Sequence, residues 1–360
     1  MNHGTNWMKR GCGLLLFAIL LLSACTIQQY DTCDLNSDGT VQDVERARCE
    51  AQQPYVPTSN RTYPLYFSVM SHYEVTFTDD TNDAVFNKHV SDLNWALDLF
   101  DDYDAKLTIE TEKPFARAVL NSGSTILSDA LARGHGVGTH CDIGTSTGTT
   151  VESLAADYKE NKELVDEIVG EENNRGCSGG FGPADYVLAA SSAGFGYLDG
   201  VVYYAYLAQP QSIRPDQVSD EEIRNIYFHD PVIPNFSDHI YPRFLNDAQD
   251  FVEDADGTFV LLNGELGEIA NLEEGRSNCP CTLTDADFDV VYDAIDEANA
   301  VRDPKRVAHI YIHMAPGNFK PENEALLRSF LEHMQQLQAD GKIQWATMGE
   351  VYDAKLSERV

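Results

Sequence analysis

The chain reads as an α/β protein whose parallel sheet curls into a (β/α) barrel, and three features predict it. Short apolar strands alternate with amphipathic helices, and strands separated by helices pair in parallel. The alternation fills residues 63–360, a length that suits a barrel. His, Asp and Glu collect where the strands end, which is where barrels of this kind do their chemistry.

The elements follow in order. Leu65–Met70 is a compact apolar strand, and Phe86, Val90, Leu93, Leu97 and Phe100 keep one helical face. Lys106–Ile109 is a short strand, and Thr125–Arg133 a helix stopped by Gly134. Gly136–His140 is strand-like, Val151–Val169 helical and Ala184–Ala193 a short helix. Gly200–Leu207 and Phe259–Leu262 read as strands, Asp285–Ala300 as a helix, Val307–Ile312 as a strand and Asn323–Ala339 as a helix.

The region before the barrel has its own signals. Lys9 and Arg10 precede an apolar run from Leu14 to Leu22, then Ser23, Ala24 and Cys25. A basic end, a short apolar core and small residues before the cut make residues 1–24 a secretory signal, too short to span a bilayer stably. Leu22-Ser23-Ala24-Cys25 resembles a bacterial lipobox, which predicts a lipid on Cys25 and export, to the outer membrane where the host has two. Residues 25–51 form a small module. Asp34, Asn36, Asp38, Thr40 and Glu45, with Gly39 at the sharp turn, match an EF-hand or dockerin-like calcium loop. Residues 52–62 are a Pro- and Gln-containing linker.

Charge narrows the partners. Lys and Arg total 25 against 58 Asp and Glu, a formal charge of −33, so binding to nucleic-acid phosphates or to an anionic membrane surface is excluded as a main role. Membrane association then rests on the Cys25 lipid alone. In an oxidising compartment the cysteines favour disulfides. Cys33 and Cys49 flank the calcium loop, while Cys141, Cys177, Cys279 and Cys281 leave three pairings open.

The strand ends carry the chemistry. The first ends in Ser71-His72-Tyr73-Glu74, another in Thr139-His140-Cys141-Asp142, and the late strand in His313. Residues two apart on a strand share a face, so each of the first two strands presents one imidazole with one carboxylate. Two His with one or two carboxylates suit a hydrolytic zinc-type site that keeps a position open for water. Other residues take ordinary readings. Glu110 and Glu112 read as solvated acids, His229-Asp230-Pro231 as a turn, Tyr203, Tyr204 and Tyr206 as strand packing, and Cys141 as a disulfide partner.

With these residues in place, the chain from about 63 to 355 resembles the polysaccharide deacetylase family. Gly134-His135-Gly136-Val137-Gly138-Thr139-His140 is similar to its second motif, and Arg175-Gly176-Cys177-Ser178-Gly179 to its Arg-x-Pro-x-Gly motif with Cys for Pro. Ile310-Tyr311-Ile312-His313 is similar to its late His strand, and Thr347-Met348-Gly349-Glu350 to its closing Thr-x-x-Glu turn. The resemblance implies a distorted or incomplete (β/α) barrel of the polysaccharide deacetylase type, preceded here by the calcium-loop module. It also implies a metal-dependent hydrolase that removes N- or O-acetyl groups from a carbohydrate. Two departures stand out. Strand one offers His72 and Glu74 where the family has two Asp, with Asp79-Asp80 as an alternative. Gly144 stands where the family has a second His, so that Asp142 takes its place. The assignment is then His72, His140 and Asp142 as ligands of a divalent metal, zinc first, with Glu74 as base, His313 as general acid and Arg175 orienting a carboxylate. The same departures also fit a non-catalytic carbohydrate-binding or cell-surface protein. A metal-free glycosidase with two carboxylates is disfavoured by the paired imidazoles.

Overall fold

The structure is a computed structural model that describes residues 61–74, 77–142, 146, 148–232, 236–275 and 281–360. The signal segment, Cys25, the calcium loop from Asp34 to Glu45, the Cys33–Cys49 pair, Gly144 and Cys279 lie outside the described residues. Among the described residues, no helix is long and apolar enough to cross a membrane.

The chain begins with β1 (Leu65–Tyr73), α1 (Asp83–Asp101), β2 (Leu107–Thr111), α2 (Lys113–Ser122), α3 (Ile126–Ala132), β3 (Gly136–His140) and α4 (Val151–Val169). It continues through β4 (Gly176–Ser178), α5 (Tyr186–Ala193), β5 (Tyr197–Asp199), a 3-10 turn (Tyr203–Ala208), α6 (Asp220–Asn225), α7 (Phe236–His239), β6 (Arg243–Leu245), β7 (Phe259–Leu261) and β8 (Glu265–Glu268). It closes with α8 (Asp285–Val301), β9 (Ala308–His313), α9 (Glu324–Ala339), β10 (Gln344–Trp345) and α10 (Met348–Ser357).

These strands form one sheet in the order β6-β7-β5-β4-β3-β2-β1-β9-β8, with β10 joined to the start of β1. Every described pairing is parallel except β6 with β7. The sheet ends at β6 on one edge and β8 on the other, which leaves the barrel open between them, so the predicted incomplete barrel is what the chain adopts. Strand β1 is an interior strand flanked by β2 and β9, and all its residues but Tyr66 are buried, as a parallel strand covered on both faces requires. Phe67 packs edge-on against Phe330 of α9 and Trp345 of β10, which fastens the last third of the chain to the first strand.

Local signals set the helix limits. Asn82 caps α1 by accepting from the Ala84 and Val85 amides, and Phe86, Leu93, Leu97 and Phe100 turn inward as their spacing predicts. Thr347 and Glu350 form a reciprocal capping box that starts α10, so the closing Thr-x-x-Glu sequence is a helix start. One strand reading fails. Residues 200–207 are not extended: Gly200 takes φ 64°, and Tyr203–Ala208 winds into a 3-10 turn. The Tyr311 hydroxyl takes the Gly200 and Val201 amides, which removes them from any strand ladder.

Candidate metal and hydrolytic site

Parallel pairing sends every strand end in one direction, and register then aligns the polar residues. His72 of β1 stands opposite Glu110 of β2, and His140 of β3 opposite Ser178 of β4. Next to Ser178 comes Asp199 of β5. On the other flank, Tyr311 and His313 of β9 stand opposite Glu265 and Glu268 of β8. Imidazoles and carboxyls from six strands therefore meet inside the sheet's curl.

The imidazoles are stacked. The His72 ring lies 4.0 Å from that of His140 and 4.3 Å from that of His313. One donor atom from each of His72, Glu74 and His140 falls within 4.8 Å of the other two, a spacing that one ion can bridge. The hydrogen bonds suit that use. His72 Nε2 meets Glu110 Oε2 at 3.1 Å, and His140 Nδ1 meets Ser178 Oγ at 2.8 Å, so each ring keeps its other nitrogen for an ion. Burial, reinforced by the neighbouring imidazoles, holds His72 well below the ordinary imidazole range. The same causes pull His140 down to about 3. Both rings are therefore neutral, the form that ligates. The donor set fits a divalent cation.

His313 behaves differently. Burial pulls its pKa down, but Glu268 outweighs that through its charge and a contact of 2.5 Å to Nδ1, with Glu265 and Glu74 adding to it, and the net shift is upward. Its Nε2 meets no hydrogen-bond partner among the described residues, and the residue lines the cavity, a placement that suits a proton donor.

Below the imidazoles lie three more carboxyls. Glu110 and Asp199 are fully buried, and Glu265 is 5% exposed. Burial raises Glu110 well above the carboxylate range, with the adjacent Asp199 charge second, and burial lifts Asp199 to about 7. Glu110 Oε1 and both Asp199 oxygens meet no N–H or O–H donor among the described residues. Burial thus biases both carboxyls toward the protonated form. Glu265 is also pushed by burial up to about 7.

A cavity of about 810 Å³ opens above the group, lined by His72, Glu74, His140, Asp142, Glu265 and His313 among others. Its opposite wall is residues 200–231, pinned by the Val202–Pro231 bridge and the Tyr203 amide bond to Asp230 O. That wall supplies Tyr203, Tyr204, Tyr227, Phe228 and His229.

The sequence-predicted residues are thus largely gathered. His72, Glu74, His140, Asp142 and His313 line one cavity. The three-donor group, however, holds Glu74 and not Asp142. Asp79 is buried against His89 Nδ1 at 2.7 Å, and Asp80 faces Arg117, so neither lines the cavity. Arg175 needs correction. It stands before the first residue of β4, at the far end from the site, where Asp353 and the Gly349 carbonyl hold its guanidinium. The carboxylate it orients belongs to α10.

Two ordinary readings are also overturned. Glu110 and Glu112 are buried rather than solvated, because β2 runs through the middle of the sheet. Tyr203 and Tyr204 line the cavity from a 3-10 turn rather than packing in a strand, and Tyr206 is buried packing, while His229 lies in a turn as expected and also lines the cavity. Cys141 is joined to Cys177, which ties the exit of β3 to β4. Glu110, Asp199, Glu265 and Glu268 carried no sequence signal beyond lying in or beside short strands.

No family model and no curated protein matches the chain, but solved structures share its fold. Puue allantoinase is 14% identical, with 84% of this chain and 93% of that chain covered and a TM-score of 0.53. A Mycobacterium smegmatis protein named as a polysaccharide deacetylase is 13% identical over 85% of this chain and 96% of its own, with a TM-score of 0.52. A Pseudomonas aeruginosa PAO1 protein named in the same way is 14% identical over 80% and 90%, also at 0.52. At these identities the likeness is one of fold: the chain has the polysaccharide deacetylase-type barrel.

Proposed function

We propose that the protein is an exported, metal-dependent hydrolase that removes acyl groups, acetyl first, from a carbohydrate. The observation that carries this reading is the convergence of His72, Glu74 and His140 beside His313 in one cavity at the strand ends. Solved structures of like fold from Mycobacterium smegmatis and Pseudomonas aeruginosa PAO1 are named polysaccharide deacetylases, which supports the carbohydrate. His72, Glu74 and His140 hold the ion, zinc first among divalent metals. When bound, it polarises the acyl carbonyl and makes a water acidic enough to attack at neutral pH.

The chain's own residues supply the rest. Among the other cavity carboxyls, Glu268 is engaged by His313, and Glu265 is buried beside Tyr311. Asp142, which leaves the end of β3 two residues after His140, is the proton acceptor for the attacking water, exchanging roles with Glu74 relative to the sequence assignment. His313, held by Glu268 at Nδ1, delivers a proton from Nε2 to the leaving nitrogen or oxygen. Export, the Cys25 lipid and calcium at Asp34–Glu45 complete the proposal on sequence grounds.

The test measures bound metal and acetate release from N- and O-acetylated oligosaccharides. E74Q is expected to lose both metal and turnover, whereas D142N keeps the metal and loses about 10²–10⁴-fold in kcat. Full turnover after chelation with no metal detectable would refute the hydrolase mechanism.

A further inference from the structure

Resting on the metal site proposed above, we infer that two buried side chains position the metal-facing imidazoles, Glu110 that of His72 and Ser178 that of His140. Glu110 Oε2 lies 3.1 Å from His72 Nε2. Ser178 Oγ lies 2.8 Å from His140 Nδ1. Each partner occupies one ring nitrogen and leaves the opposite one, His72 Nδ1 or His140 Nε2, open for an ion.

The placement follows from register. Glu110 is paired with His72 across β1 and β2, Ser178 with His140 across β3 and β4, and β2 lies beside β3. Gly138 stands opposite Glu110 on β3, and a Cβ there would come within 3.3 Å of Glu110 Cγ, so the glycine leaves the room that the Glu110 side chain fills. Asp199 of β5, opposite Ser178, is a second buried carboxyl beside them. Burying two carboxyls without salt-bridge partners is costly for a fold. A packing role would be served better by Leu or Met, so the pair is retained for what it holds.

The full chain tests this with Co²⁺ titrations followed by visible absorption, in wild type, E110Q, E110L and S178A. Gln keeps an oxygen that can accept from His72, so E110Q is expected to bind within about threefold of wild type. E110L is expected to bind about 10–100-fold more weakly, with an altered Co²⁺ spectrum. S178A removes only the His140 arm and is expected to fall between them. Circular dichroism of the metal-free proteins checks folding; should E110L not fold, E110Q against S178A decides the matter. Wild-type affinity and spectrum in both E110L and S178A, or equal damage in E110Q and E110L, would overturn the positioning role and leave the metal site standing. A wild type that takes up no Co²⁺ would overturn both.

Discussion

The two walls of the cavity are built by opposite means. One consists of strand ends: His72, His140 and His313 leave β1, β3 and β9, held by parallel ladders on both sides. The other is the irregular segment 200–231, which presents aromatic rings and is closed on itself by one bridge. Tyr203 stacks on Tyr227 with ring centres 4.9 Å apart, and Tyr204 meets Phe228 edge-on at 5.8 Å. The regular wall fixes direction to a fraction of an ångström, which proton transfer and metal ligation need. The irregular wall supplies broad apolar faces, which suit the C–H face of a sugar ring. Under the proposed function, chemistry and recognition are divided between regular and irregular backbone.

Three substitutions sharpen that division. On the regular wall, H313A should lower kcat by about 10²–10⁴-fold with little effect on bound metal. Because Glu268 raises the His313 pKa, the acid form persists above the ordinary imidazole value, and wild-type kcat should fall as pH rises through that raised pKa. H313A should lose this alkaline limb; a pH–rate profile that keeps it assigns the acid elsewhere.

Below that wall, Glu265 offers a pH-dependent stability change. Its folded pKa of about 7 lies above the ordinary carboxylate value of 4.5, so its contribution is complete below 4.5 and is lost as pH rises through 7. Urea unfolding of metal-free wild type and E265Q should therefore diverge in favour of wild type as pH falls from 7 to 4.5. The expected total is on the order of 3 kcal/mol. A difference that does not change with pH would show that Glu265 titrates normally.

The smallest effect belongs to the irregular wall. Y204A should raise KM about tenfold, roughly 1–2 kcal/mol of lost ring contact, and leave kcat and metal content nearly unchanged. An equal fall in kcat would mean that this wall takes part in the chemistry and would break the division.

Much of the regular wall was legible in the chain. The period-two spacing of His72 with Glu74 and of His140 with Asp142 follows from strand geometry alone, and both pairs do reach one cavity. Helix limits were readable wherever a cap was present, as at Asn82 and Thr347. Gly200–Leu207 misled because three tyrosines within four residues favour a strand, whereas the long-range bonds from Tyr311 impose a turn.

What the sequence alone determined is the parallel α/β architecture, the acidic surface, and the imidazole and carboxylate pairs at strand ends, because each depends on neighbours a few residues apart. Only the tertiary structure decided that Glu110, Asp199, Glu265 and Glu268 stand beneath or beside those imidazoles, that Glu74 rather than Asp142 joins the donor group, and that Arg175 faces the far end of the barrel. Those outcomes depend on which strands become neighbours and in which register. Residues 38 apart, such as His72 and Glu110, carry no local mark of meeting, and the pairing of β1 with β2 brings them within a hydrogen bond.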